Sequence, residues 1–144
     1  MGHALKEAEK AFTIGEIPVC AIVVYEDRII GRGHNQVELL RDPTAHAEMI
    51  ALTAACATLE SKFLEECTLY VTLEPCPMCA GASVWTRIRR IVYGAADPKA
   101  GACGTLFNIG SNNKLNHRAE IIQGVREAEC EEILKRFFRG KRAE

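Results

Sequence analysis

Apolar positions recur along this chain with two different periods, and the alternation between them lays out the elements. From 2 to 14, Leu5, Ala8 and Phe12 share one helical face while Lys6, Glu7, Glu9 and Lys10 lie off it; Gly15 follows where a helix ends. Residues 18–25 are β-branched and apolar, Glu26-Asp27 turns the chain, and 28–34 runs back. This predicts a hairpin whose first strand is buried on both faces. A polar loop covers 35–43. From 45 to 59 few positions are polar, which predicts a helix enclosed on most sides. A strand at 67–73 is followed by a helix at 77–85, with prolines at its start where missing amide donors do least harm. A strand at 90–95 leads to 97–117, rich in Gly and Asn and weakly periodic. That stretch is long for a structureless connection, so short helical turns or a binding loop are expected there. A short strand at 119–122 and an amphipathic helix at 125–138, carrying Ala128, Ile133, Leu134, Phe137 and Phe138, close the pattern. Strands alternating with helices predict an α/β domain with helices on both faces of one sheet, and the hairpin makes that sheet mixed. No repeat or linker divides the chain, so 1–144 reads as one domain.

Composition narrows the class. With 144 residues, 48% of them hydrophobic, the chain can bury a core without staples. No apolar run reaches the roughly 20 residues of a membrane span, no signal-peptide pattern opens the chain, and Lys6 stands where a myristoylation site wants Ser or Thr. No membrane partner is expected. Seven cysteines, an odd number with several inside apolar runs, predict a reducing, cytoplasmic setting rather than a disulfide scaffold. A net charge of −1 announces no nucleic-acid binder, but the charge is uneven. Lys135, Arg136, Arg139, Lys141 and Arg142 crowd the end of the chain behind Glu127, Glu129, Glu131 and Glu132, and Arg87, Arg89 and Arg90 form a second cluster. The C-terminal cations read either as a solvated helix end complementing its dipole or as a basic tail for phosphates.

The candidate chemistry lies in two stretches, Asp42-Pro43-Thr44-Ala45-His46-Ala47-Glu48 and Glu74-Pro75-Cys76-Pro77-Met78-Cys79. Cys76 and Cys79, three apart in the first turn of a helix, face the same way, and the free amides of that turn favour thiolate. His46 and Glu48 begin the other helix. One imidazole and two thiolates bind zinc well and leave its fourth position open, while the carboxylate of Glu48 is free to move protons. Alone, a Cys-x-x-Cys could be a redox pair or half of a structural zinc site. A structural site wants a fourth ligand, however, and the conceivable ones, His34 and His117, lie in no metal-like motif. A redox pair would leave His46 and Glu48 unexplained. Together the stretches fit the H-x-E…P-C-x-x-C signature of zinc-dependent nucleobase deaminases.

With that signature in place, the chain resembles the bacterial tRNA-specific adenosine deaminases over nearly its whole length. The resemblance is carried by Gly15-Glu16-Ile17-Pro18-Val19, Asn35, the stretch from Asp42 to Glu48, and Leu69-Tyr70-Val71-Thr72-Leu73-Glu74-Pro75-Cys76. It continues through Cys79-Ala80-Gly81-Ala82, Asp97, Asn116-His117-Arg118 and Phe137-Phe138-Arg139. The zinc core is shared with guanine, cytosine and cytidine deaminases; Asn116-His117-Arg118 and the basic aromatic C-terminal helix favour the tRNA branch. The resemblance implies a three-layer α/β/α sandwich around a mixed five-stranded sheet. It also implies one zinc ion per subunit on His46, Cys76 and Cys79, a homodimer, and conversion of the wobble adenosine, position 34 of an arginine tRNA with an ACG anticodon, to inosine. Glu48 would be the proton shuttle. Asn35 and the amide of Ala47 would read the flipped base, Asp97 and Lys99 would touch neighbouring nucleotides, and Arg136, Phe137 and Arg139 would line the groove for the anticodon stem-loop. Asn35 as a turn residue and Phe137 as core packing are the plain structural alternatives. The rival enzyme is a free-base deaminase acting on guanine or cytosine; the non-enzyme rival is a zinc-stabilised RNA-binding scaffold.

Overall fold

The computed structural model describes residues 1–143. In chain order the elements are α1 (Gly2–Thr13), β1 (Cys20–Tyr25), β2 (Arg28–His34), α2 (Val37–Leu40), α3 (Ala47–Leu59), β3 (Thr68–Leu73), α4 (Pro77–Trp85), β4 (Arg90–Ala95), β5 (Glu120–Ile122) and α5 (Glu127–Ala143). The strands form one mixed sheet in the order β2-β1-β3-β4-β5. β1 runs antiparallel to both β2 and β3, whereas β3, β4 and β5 are parallel.

Alternation along the strands sorts their side chains into two cores. Ala21 and Val23 of β1, with Leu69, Val71, Ile91 and Tyr93 of its neighbours, pack against Ala47, Ala51 and Ala55 of α3 and Ala80 of α4. Cys20 and Ile22 point the other way, towards Ala4 and Ala8 of α1 and Ile133 of α5. The result is the three-layer α/β/α sandwich, and the first strand is covered on both faces as its unbroken apolar run requires.

The seating of α3 decides where the site lies. Gly31 and Gly33, two apart on β2, face that helix; a β-carbon on either would collide with the carbonyl of Ala51 or Ala47 respectively. With alanines every fourth residue on the helix and glycines every second residue on the strand, backbone approaches backbone. The first turn of α3 is thereby pinned over the end of the sheet.

In three places the structure departs from the sequence reading, and at 97–117 it decides between the two alternatives. The 35–43 loop contains one helical turn, α2, which closes with Arg41 in the left-handed region at φ 51°. The 97–117 stretch forms turns around a single Cys103–Asn108 bridge and no helix. α5 continues past Phe138 to Ala143, through Gly140, with Lys141 and Arg142 favourably placed at its dipole end. Finally, α3 is not enclosed on most sides. Thr53, Ala57 and Thr58 are exposed, Met49 and Cys56 half-buried, and Trp85 of α4 beside them is 79% exposed. Low polarity along a helix shows that it is covered by something, and within one chain the sheet covers one side only. Among the described residues no helix is long and apolar enough to cross a membrane.

Candidate active site

Two helix starts converge beside the end of β3. His46 is the residue preceding the first turn of α3, and Cys76 holds the same position on α4, with Pro77 next as the first helical residue. Both have extended backbone (φ −78°, ψ 150° and φ −74°, ψ 174°), and neither side chain caps its own helix by a hydrogen bond, which leaves both free to face each other. The His46 Nδ1 atom lies 3.6 Å from the Cys76 Sγ and 3.5 Å from the Cys79 Sγ. Zinc bonds of about 2.0 Å to nitrogen and 2.3 Å to sulfur, at a tetrahedral angle, separate such donors by about 3.5 Å. The three donor atoms all lie within 4.8 Å of one another, so donor type and spacing both fit zinc. The Cys76 thiol is drawn down to about 5, chiefly by the hydrogen bond from Cys79, while that same bond and burial keep the proton on Cys79. One thiolate is therefore available to a metal at neutral pH, and binding displaces the second proton.

Glu48, in the first turn of α3, is 4% exposed, and burial pushes its carboxyl up to about 7. A carboxyl poised there takes and returns a proton with little penalty either way. It stands in the wall of a cavity of about 320 Å³, a size suited to one small ring system rather than a stretch of polymer. Asn35, His46, Ala47, Glu48, Cys76 and Asp97 all line this cavity, with Ile17, Val19 and Leu73 as apolar walls. Cys79 is fully buried behind it.

The remaining residues singled out from the sequence lie elsewhere. Lys99 is exposed on the outer side of the Asp97 turn, where the Asp97 carboxylate accepts the N–H groups of Lys99 and Ala100 at 2.9 and 3.2 Å. Arg136 pairs with Glu9 at 2.8 Å and covers the Phe12 ring; Arg139 pairs with Glu132 at 2.9 Å. Phe137 is 7% exposed and meets Phe12 and Phe138 edge to face, so its ring packs α5 on α1. Phe138 is the aromatic of that pair that faces outward. Two buried acids escaped the sequence reading. Glu16 accepts the N–H of Leu39 at 2.7 Å and of Glu38 at 3.4 Å, fastening α2. Glu74 gathers the 97–105 loop. Both lie in segments that carry the family resemblance, but nothing local in the sequence indicated what they hold.

Comparison with known proteins follows the same lines. A sequence model of the MafB19-like deaminases matches residues 1–142. The chain is 50% identical over 139 residues to a tRNA-specific adenosine deaminase of Bacillus subtilis, covering 96% of this chain and 86% of that protein. It is likewise 50% identical over 136 residues to one of Aquifex aeolicus, covering 94% and 89%. A solved structure from work on A-to-I editing by tRNA:A34 deaminases superimposes with a TM-score of 0.86 at 43% identity, covering 91% of this chain and 95% of that one. A guanine deaminase from Nitrosomonas europaea superimposes at 0.76 with 27% identity, covering 94% and 81%. Since half of all residues agree over nearly its full length and the fold superimposes closely on a solved relative, this chain belongs to the tRNA-specific adenosine deaminase family.

Proposed function

We propose that this enzyme converts adenosine to inosine at wobble position 34 of tRNA, its substrate being the anticodon stem-loop of an arginine tRNA reading ACG. The observation that carries the reading is the meeting of Glu48 with His46, Cys76 and Cys79 at one base-sized cavity, taken with the family membership. The reaction is hydrolysis: water adds at C6 of adenine and ammonia leaves. His46, Cys76 and Cys79 would hold one zinc ion, whose charge makes a water nucleophilic near neutral pH. Glu48 takes the proton from the attacking water and delivers it to N1 as C6 becomes tetrahedral. It then takes the remaining proton from the new C6 hydroxyl and passes it to the exocyclic amine, which departs as ammonia while the C6 carbonyl forms. Asn35 and the Ala47 amide hold the edge of the flipped base, and the apolar walls at Ile17, Val19 and Leu73 exclude bulk water. Asp97 and Lys99 meet the flanking nucleotides, while Arg136 and Arg139 supply cations along α5, on a helix seated by Phe137. A second copy of the chain would cover the open α3–α4 face at Met49, Cys56 and Trp85, giving a homodimer. Free thiols throughout suit a cytoplasmic enzyme.

The test is an ACG stem-loop assayed for inosine, with free guanine and cytosine alongside. Inosine confined to the wobble position, and lost in Glu48→Ala while zinc and fold persist, is the expected result. A free base deaminated beside an inert stem-loop would move the enzyme to the small-molecule branch. Unchanged turnover in Glu48→Ala would remove the proton-shuttle role.

A further inference from the structure

We propose that Glu74 is the positioning residue of the substrate cavity, its buried carboxylate building the 97–105 loop into one wall. This rests on the deaminase reading only for the identity of the substrate. Glu74 lies between the last residue of β3 and the ligand Cys76, and is 2% exposed. A carboxylate so deeply buried persists only when its charge is answered, and among the described residues no cation pairs with it. The answer comes wholly from one loop. Oε1 accepts the Asp97 N–H at 3.1 Å and the Thr105 hydroxyl; Oε2 accepts the N–H groups of Cys103 and Thr105 at 3.0 and 3.2 Å. The loop presses so closely on the carboxylate that a β-carbon at Gly101 would strike both Glu74 and the Asp97 carbonyl.

This arrangement reaches the cavity through Asp97. The Asp97 backbone is tied to Glu74 and its side chain closes the following turn, so the cavity wall at Asp97 and Ala100 inherits its position from the acid. The 97–117 segment has too little apolar patterning to fix that wall by packing alone. Four charge-assisted hydrogen bonds supply what the missing hydrophobic contacts do not. Glu74 exchanges no proton with substrate. It ties the loop to the same strand end that sets the metal-binding helix, so the wall and the reacting centre keep a fixed separation.

The test compares wild type with Glu74→Gln, Gly101→Ala, the double variant, and the milder Thr105→Val, which deletes only the hydroxyl donor. Gln keeps the shape but turns an amide NH2, itself a donor, towards two donors. Steady-state kinetics on the ACG stem-loop, zinc content, and amide hydrogen exchange across 97–106 are measured. The expected result is a KM raised about tenfold or more with kcat within about threefold. Zinc is retained, exchange across the loop is faster, and the double variant is no worse than either single one. Zinc loss with KM unchanged, or kinetics and exchange like wild type, would overturn the proposal. Thr105→Val gives the same reading if Glu74→Gln does not fold. Exchange is measured without substrate, so an inert wild-type stem-loop assay would sink the tRNA reading alone and leave this inference to the exchange data.

Discussion

At the scale of single residues, the site is a division of labour between soft and hard groups. His46, Cys76 and Cys79 present nitrogen and sulfur at a spacing that zinc closes into three corners of a tetrahedron. Glu48 sits two residues from the imidazole, in the same cavity. Cys79→Ser exchanges a thiol for a hydroxyl that does not ionise near neutral pH, so zinc retained after dialysis is expected to fall from about one per chain to well below half, with activity lost in proportion. Zinc retained at the wild-type level would show that the pair His46–Cys76 suffices. Stripping zinc with a chelator is expected to abolish turnover and lower the melting temperature, both restored by added zinc, because folding brings the ligands together. The sequence reading identified these four residues because ligand type and an i, i+3 spacing are local properties. It left Phe137 open between groove lining and core packing. Whether an aromatic side chain near the chain end stacks on a base or on Phe12 depends on a helix more than a hundred residues away.

At the scale of elements, close approach between α3 and β2 aims the first of the two helix starts. Gly33→Ala would drive a methyl group into the Ala47 carbonyl, directly under the turn that bears His46 and Glu48. The expected loss of stability is about 1–3 kcal/mol, the usual penalty for overpacking, accompanied by slower turnover in the folded fraction. Denaturant unfolding with activity measured below the transition checks both; an unchanged midpoint would mean that α3 can move away freely. All five strands and every helix but α2 were legible from periodicity and turn residues. The Ala47-Ala51-Ala55 and Gly31-Gly33 patterns, however, acquire meaning only once the two elements are known to touch. The same limit applies to the 97–117 stretch: its 97–105 part is hydrogen-bonded to Glu74, a residue earlier in the chain, and no local periodicity encodes that.

At the scale of the whole molecule, the uncovered side of α3 and the outward-facing Trp85 form an exposed, partly apolar face. Trp85→Arg would place a charge in the face proposed to join two copies, and sedimentation velocity is expected to shift from dimer towards monomer with zinc content unchanged. A dimer that persists in Trp85→Arg would place the subunit contact elsewhere. What the sequence by itself determined was the order of the strands and of every helix but α2, the mixed sheet, and which side chains offer candidate metal-donor and proton-transfer groups. These depend on periodicity and on functional groups that are close together in the chain. Only the tertiary structure decided that two helix starts meet at one cavity, that Glu74 and Glu16 hold its flanking segments, that Phe137 faces inward, and that α3 keeps an open side. Each of these is a contact between distant parts of the chain, set by how the layers stack, and hydrogen bonds or burial of that kind leave no periodic trace in the residues that make them.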